Sequence, residues 1–330
     1  MTIDEMAKSL GVSKSTVSRA LSGKGRIGEE TRARIVEFAK SQNQAVKPLN
    51  EEGGMTKNLG VILPADVYSN GGPYFQECIL GICETATFLD YDVLIATGTA
   101  NDVSDIRTLV EKKKVDGIIL TRSIEGDKCL KYLLEIGFPV GLTGICHSEE
   151  VIQVDTDNEA ASESLTALLL GKGYRHFALV IDDMEYMVNK SRYRGFCKAL
   201  EKSSLSLQKQ EILSGPLRVD LLDSVLENLI AKKVECIICG DDIICTRVMS
   251  SLQAAGYRIP KDIAVASLYN SPNLDCFSPS VTAVNVSAKQ VGNMISKQMI
   301  SYLEGREYQK QTMMDYEILV RKSASGRREA

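Results

Sequence analysis

The chain has 330 residues, 44% of them hydrophobic, which is enough for two or three domains with sizeable cores. No run of about 18 apolar residues occurs, so no transmembrane helix is expected, and the start, MTIDEMAKSLGVS, holds acids and no long apolar stretch, unlike a signal peptide. The net charge of −4 does not by itself suggest nucleic acid, but residues 1–50 carry nine Lys/Arg against five Asp/Glu, while the other 280 carry 30 against 38. A basic head on an acidic body points to a polyanion at one end, although a solvated helical face gives the same excess.

Residues 1–43 read as three short helices. Their apolar faces are Ile3, Met6, Ala7 and Leu10, then Val12, Thr16, Val17, Ala20 and Leu21, then Ile35, Phe38 and Ala39. The first two must cross tightly. Ala7 is the small residue at the crossing, Gly11 suits a turn that needs positive φ, and Ser13 is placed to cap the second helix. The outer face of that helix is left with Ser13, Lys14, Ser15, Thr16, Ser18 and Arg19. Short hydroxyls and two cations suit a helix in a DNA major groove, where hydroxyls and the helix N-terminus meet phosphates and longer donors reach base edges. A helical interaction module with a polar face is the blander reading.

Gly23, Gly25 and Gly28 form a G-x-G-x-x-G. A dinucleotide site needs a strand before that motif, and here a helix precedes it. Gly23 is better placed to end the second helix and Gly28 to cap the third. Lys24 and Arg26 would then lie on a loop near the DNA backbone. Residues 44–57, QAVKPLNEEGGMTK, lose periodicity and read as a linker.

From Asn58 short apolar runs alternate with helical stretches. The strands are 59–63, 93–97, 117–120, 140–143 and 151–155, then 177–181, 236–239 and 263–268, with a last strand at 312–320. The helices are near 74–89, 103–114, 127–136, 158–171, 190–202, 220–232 and 242–256. Continuous apolar strands alternating with helices argue for parallel sheets covered on both faces. Two rounds of the pattern suggest two similar Rossmann-like lobes, and the polar tail SASGRREA is expected to fray.

The nine cysteines are odd in number, and Cys78, Cys83, Cys129, Cys197 and Cys236 sit in apolar periodic segments. Buried thiols in a reducing cytoplasm are expected. Cys236 and Cys239 share one strand three residues apart, so they point to opposite faces and make a poor metal or redox pair. The two histidines, His147 and His176, have no nucleophile in elbow geometry, so a hydrolytic triad is not expected. No metal or cofactor is called for. Asp182 and Asp183 could touch a ligand or make a turn, the turn being favoured.

TIDEMAKSLGVSKSTVSRALS, followed by EETRARI at 29–35, resembles the DNA-binding head of the lactose-repressor (LacI/GalR) family. The body resembles the same family in VDTDNEAA (154–161), GYRHFALV (173–180), RYRGFCKAL (192–200), GYRIPKDIAVAS (256–267) and PSVTAV (279–284). The resemblance implies a helix-turn-helix head over 1–45, a hinge over 46–57, and a two-lobed body of the type I periplasmic-binding-protein kind over 58–330. Its N-lobe would hold about 58–156 and 287–309, and its C-lobe about 157–286 and 310–322. It further implies a homodimer on double-stranded operator DNA, with a small-molecule effector between the lobes. By position, Lys14 and Ser15 match base-reading residues, Arg19 a further DNA contact, and Ser13 and Thr16 phosphate contacts.

The hinge departs from the family. Counted from Ala39, the positions of its Tyr-x-Pro-Asn-x-x-Ala-Arg-x-Leu segment hold Gln44, Val46, Lys47, Asn50, Glu51 and Gly53. Gly53 stands at the minor-groove wedge and Glu51 replaces a cation, so a softer hinge with little kinking at the operator centre is expected. Leu49 in a shifted register is the alternative.

In the cleft, Tyr74 and Phe75 match family positions that stack on ligand, though both could equally pack in the core. Arg192 matches the ligand-contacting arginine, whose planar guanidinium can hold hydroxyl pairs, carboxylate or phosphate. Asp241 is the better ligand candidate, and Asp242 the favoured helix cap. Gly144 and Tyr269–Asn270 stand where the family commonly has acids. Two acceptors for sugar hydroxyls are thereby lost and a ring enters, so Tyr269 and Asn270 join the effector-site candidates. The effector class stays open among sugars, sugar phosphates, nucleosides and organic acids. A cytoplasmic, effector-responsive transcriptional regulator, most simply a repressor and not an enzyme, is the expectation. The alternative is a small-molecule-binding α/β module or enzyme with an unrelated helical head.

Overall fold

Helices α1 (Ile3–Leu10), α2 (Lys14–Ser22) and α3 (Glu29–Ser41) close around Met6, Ala7, Val17, Ala20 and Ile35, with Leu10, Val12, Ile27 and Phe38 packed against them. These are the apolar positions that the 3.6-residue period aligns on each helix. The turn between α1 and α2 runs through Gly11 at φ +66, a conformation that costs glycine little. Its amide hydrogen bonds continue the first helix, Val12 N–H donating to the Ala7 carbonyl at 3.0 Å. The Ser13 Oγ accepts from the Thr16 N–H at 3.1 Å and caps α2 as expected. The carbonyl of Gly28 accepts the Arg32 N–H at 3.0 Å, which is the cap position of α3. This computed structural model describes residues 3–22, 27–41, 54–65, 72–215 and 219–326. Gly23, Lys24, Gly25 and Arg26 lie outside the described residues, as do 42–53, which hold most of the expected hinge.

The head ends at Thr56 and the body begins at Lys57. The body holds two six-stranded sheets. The N-lobe sheet runs β11 (Gln311–Met314), β5 (Ile152–Thr156), β4 (Val140–Thr143), β3 (Gly117–Leu120), β1 (Asn58–Pro64), β2 (Asp92–Gly98), all parallel. The C-lobe sheet runs β12 (Glu317–Leu319), β10 (Thr282–Asn285), β9 (Ala264–Ser267), β8 (Cys236–Cys239), β6 (Phe177–Ile181), β7 (Glu211–Ser214), parallel except for β12. The central strands are buried along their whole length, which is why they read as unbroken apolar runs. Cys236 packs into the cluster on one face of its sheet and Cys239 into that on the other, as their spacing dictates.

The helices are α4 (Pro73–Phe88), α5 (Ser104–Glu111) and α6 (Lys128–Glu135), then α7 (Asn158–Gly171), α8 (Met187–Lys202), α9 (Val219–Ala231), α10 (Asp242–Ala254) and α11 (Pro272–Asp275), and finally α12 (Ala288–Leu303). Chain crossings between lobes follow β5, β10 and β11. The expected lobe change near 309/310 therefore comes later. Gln311–Met314 completes the N-lobe sheet beside β5, and the chain crosses only before Glu317. The single strand expected at 312–320 is two strands in two sheets for the same reason.

Four elements, β7, β10, α11 and α12, were not read from the sequence. β7 is a half-exposed edge strand of four residues, too short for a pattern. α12, capped by the Ser287 Oγ accepting from the Gln290 N–H at 3.2 Å, packs on β3, β4 and β5 of the N-lobe. The start of the tail, 323–324, is also firmer than expected. Ser323 and Ala324 are buried, and the Ser323 hydroxyl donates to the Val265 carbonyl at 2.6 Å while accepting from the Thr282 N–H at 2.8 Å. A polar residue can be buried this way because its hydrogen bonds are met by backbone groups of β9 and β10.

Candidate functional site

The head presents a hydroxyl cluster at the start of α2. Ser13 Oγ lies 2.8 Å from both Ser15 Oγ and Thr16 Oγ1. Ser13, Lys14, Ser15 and Arg19 are exposed, and Thr16 and Ser18 are partly so. The nine residues of α2 include no acid. Amide donors at the helix start, orientable hydroxyls and flanking cations together form a surface for phosphate oxygens. The apolar residues of the same helix, Val17 and Ala20, face the core and hold that surface outward.

In the body, the strand ends of both sheets open on a cavity of about 220 Å³. Among the described residues its walls include Tyr74, Phe75, Ser123, Thr143, Gly144 and Asp155 from the N-lobe side. Tyr186, Asn189, Arg192, Asp241, Asp242 and Tyr269 wall it from the C-lobe side. Strand ends are where open parallel sheets leave room, since the connecting loops diverge there. Tyr74 and Phe75 both line it, and Phe75 also packs against the N-lobe core. The Tyr74 ring meets Phe75 edge to face at 5.3 Å and Tyr269 edge to face at 5.6 Å. The second contact joins the lobes.

Arg192 projects from α8. Its Nε is buried with no hydrogen-bond partner, which is uncommon for a charged group and marks it as facing the cavity rather than the protein. Burial lowers its pKa, and the charges of Asp241 and Asp155 oppose that shift. Asp155 ends β5. Burial pushes its carboxyl up to about 6, although Oδ1 accepts from the Thr156 N–H at 2.8 Å and Asn158 Nδ2 at 3.0 Å. Burial likewise raises the Tyr74 and Tyr269 hydroxyls, so both are neutral donors at neutral pH.

Two assignments change. Asp241, not Asp242, caps α10, its Oδ1 accepting from the Ile244 N–H at 2.8 Å. The extended backbone at Asp241 puts it at the cap position, while Asp242 is already helical and buried, and both line the cavity. Asn270 does not line the cavity. Its Oδ1 accepts from Arg321 at 2.8 Å and its Nδ2 donates to Asn285 Oδ1 at 3.1 Å, which turns it into the C-lobe framework. That framework steadies the turn that presents Tyr269, whose carbonyl also accepts the Ser267 hydroxyl at 2.6 Å. Asp182 and Asp183 divide the roles weighed for them: Asp182 lines the cavity, while Asp183 Oδ1 accepts the Glu185 N–H at 2.9 Å in a turn.

Asp155, Tyr186 and Asn189 were not singled out from the sequence. Position at a strand's carboxyl end was the available signal for Asp155; nothing local marks the other two. Gly144 has its reason in space. It lies at φ +130, and a Cβ there would sit 2.7 Å from Ser123 Cβ, so no acid can occupy that point without moving the loop.

Comparison with known proteins agrees with this architecture. Residues 2–43 match "Bacterial regulatory proteins, lacI family" and 166–324 match "Periplasmic binding protein-like domain". The chain is 27% identical over 316 residues, 92% of each chain, to the HTH-type transcriptional regulator MalR of Staphylococcus xylosus. Among solved structures, the transcriptional regulator CelR–cellobiose complex superposes with a TM-score of 0.74 at 21% identity, covering 98% of this chain and 99% of that one. The transcription regulator CcpA of Lactococcus lactis superposes with a TM-score of 0.72 at 23% identity, covering 81% and 98%.

Proposed function

The chain belongs to the lacI family of bacterial DNA-binding transcriptional regulators, and on that premise we propose that it represses from a pseudo-palindromic operator as a homodimer, under control of a small molecule held between its lobes. The carrying observation is the acid-free α2, which turns Ser13, Lys14, Ser15, Thr16, Ser18 and Arg19 outward from a closed three-helix core. Lys14 and Ser15 read base edges, Arg19 adds a further contact, and Ser13 and Thr16 hold phosphates. Lys24 and Arg26, which follow α2 in the sequence, are the further cations assigned to the DNA backbone. The work is done in the cytoplasm, on chromosomal DNA.

The effector fills the cavity between Tyr74, Phe75 and Tyr269 on one hand and Arg192, Asp155 and Asp241 on the other. A ring stacks on the aromatic residues, and a hydroxyl, carbonyl or anionic oxygen accepts from Arg192 Nε. The CelR relative is described as a cellobiose complex, which supports a carbohydrate-sized effector here. The aromatic Tyr269 and the buried guanidinium also fit a nucleoside, a sugar phosphate or an organic acid. Effector binding alters the angle between lobes and, by linkage, operator affinity.

One experiment tests both halves. A duplex is selected from a random library with the full-length protein, and its binding is titrated against sugars, sugar phosphates, nucleosides and organic acids. Arg19→Ala and Lys14→Ala are expected to weaken operator binding by about 1–3 kcal/mol each at fixed salt. Arg192→Ala is expected to keep operator binding and lose the response to the effector. Unchanged affinity in both head variants would remove the groove assignment.

A further inference from the structure

The loops that follow β3 and β6 meet at the cavity wall. Ile124 and Tyr186 form an isolated antiparallel bridge. The Glu125 N–H donates to the Glu185 carbonyl at 3.0 Å, and the Met187 N–H donates to the Ser123 carbonyl at 3.1 Å. Lys190, one turn into α8, pairs with the Glu125 carboxylate. β3 belongs to the N-lobe sheet and β6 to the C-lobe sheet, so every one of these contacts crosses between lobes. They are far in sequence from the three chain crossings and are made wholly by protein groups. Ser123 and Tyr186 also wall the cavity.

We propose that residues 123–125 and 185–187 form a latch, which holds the lobes together beside the effector cavity. The two backbone bonds flank one residue pair, so neither keeps its geometry once the other is lost; they open together. The exposed Glu125–Lys190 pair adds little holding energy, because solvent screens it, but it orients the loops. The Tyr74–Tyr269 ring contact is a second tie across the same cavity. The latch gives the lobe angle a resting value written into the chain itself, and an effector acts against or with that value. Its purpose rests on the effector reading above.

The test is amide hydrogen exchange on the full-length protein, and it needs no ligand. The Glu125 and Met187 amides are expected to be protected, unlike loop amides facing solvent. Met187→Pro removes one donor with little cost to the helix. Met187 is the first residue of α8, where proline is tolerated, and Tyr186 at φ −71, ψ 125 already has the backbone that precedes proline. Because Met187 is buried, Met187→Ala is the control that trims the side chain but keeps the N–H. Exchange at Glu125 is expected to rise roughly five- to tenfold in Met187→Pro and to stay near wild type in Met187→Ala. If Met187→Pro loosens the core strands as well, Glu125→Pro read at the Met187 amide carries the same expectation. Unprotected amides in the wild type, equal Glu125 protection in the proline and alanine variants, or an unmoved Met187 amide in Glu125→Pro each overturn the latch. None of these outcomes touches the effector reading, which depends on ligand response and not on exchange.

Discussion

Asp155 is held beside the cavity at an electrostatic cost. Its carboxyl is buried and titrates near 6 instead of near its usual 3.8. A carboxyl whose folded pKa is raised stabilises the fold fully below the unfolded pKa, and that contribution is lost as pH rises through about 6. Above pH 6 the ionised form therefore costs about 3 kcal/mol relative to a neutral group. Asp155→Asn keeps an Oδ1 for Thr156 and Asn158 while removing the charge. The variant should match wild type near pH 4 and become progressively more stable than it between pH 4 and 7. Urea unfolding at several pH values measures this, and a stability difference that does not grow with pH would contradict it. A charge retained at such a cost beside an orphan guanidinium Nε is expected of a binding wall, where stability and function compete.

At the scale of elements, helix pairs rather than single helices set the spacing of each lobe. In the C-lobe, α7 and α8 pack so closely at Gly195 that a Cβ would lie 2.1 Å from the Glu159 carbonyl oxygen and 2.8 Å from Ser162 Cβ. In the N-lobe, α4 and α12 meet in the same way, a Cβ on Gly292 falling 2.0 Å from the Cys78 carbonyl oxygen. Alanine would improve intrinsic helix propensity by roughly 1 kcal/mol at Gly195. The backbone clash outweighs that gain, since neither helix can yield without disturbing its sheet. Gly195→Ala should thus lose about 2 kcal/mol or more, measured by thermal unfolding; a stabilised variant would mean that the helices are not held this close. Arg192 stands one turn before Gly195 on α8, so the same packing fixes where its guanidinium reaches the cavity.

The whole molecule carries an apolar surface that one chain does not cover. Leu80 and Phe88 lie on one face of α4, eight residues apart, and Phe88 is 87% exposed. Ile95, on the N-lobe edge strand β2, is exposed as well. Large exposed apolar side chains on one lobe are expected of a subunit interface. On the proposed homodimer, the double variant Leu80→Asp, Phe88→Asp should sediment as a monomer, whereas the wild type should sediment as a dimer at the same concentration. Its operator affinity should fall by at least tenfold, because half of the bivalent contact is lost. A variant that still sediments as a dimer would place the interface elsewhere.

The sequence by itself determined the head and the layout of the body. Its helices are short, and their apolar spacing, the glycine turn at Gly11 and the cap at Ser13 are all local signals, so the three-helix core followed directly. The central strands were legible because strands buried on both faces must be apolar throughout. Tyr74, Phe75 and Arg192 are assigned to one cleft by their match to family positions, and Asp241 and Tyr269 because each follows a strand end as well. Tertiary structure alone decided the rest. Asp241 rather than Asp242 caps α10, since the cap depends on where the backbone leaves the extended conformation. Asn270 turned away because Arg321, 51 residues later, captured it. Gln311–Met314 joined the N-lobe because β5 offered it an open edge. Asp155, Tyr186 and the bridge at Ile124 came to the cavity through contacts between lobes, and long-range juxtaposition leaves no period, cap or turn signal in the residues that make it.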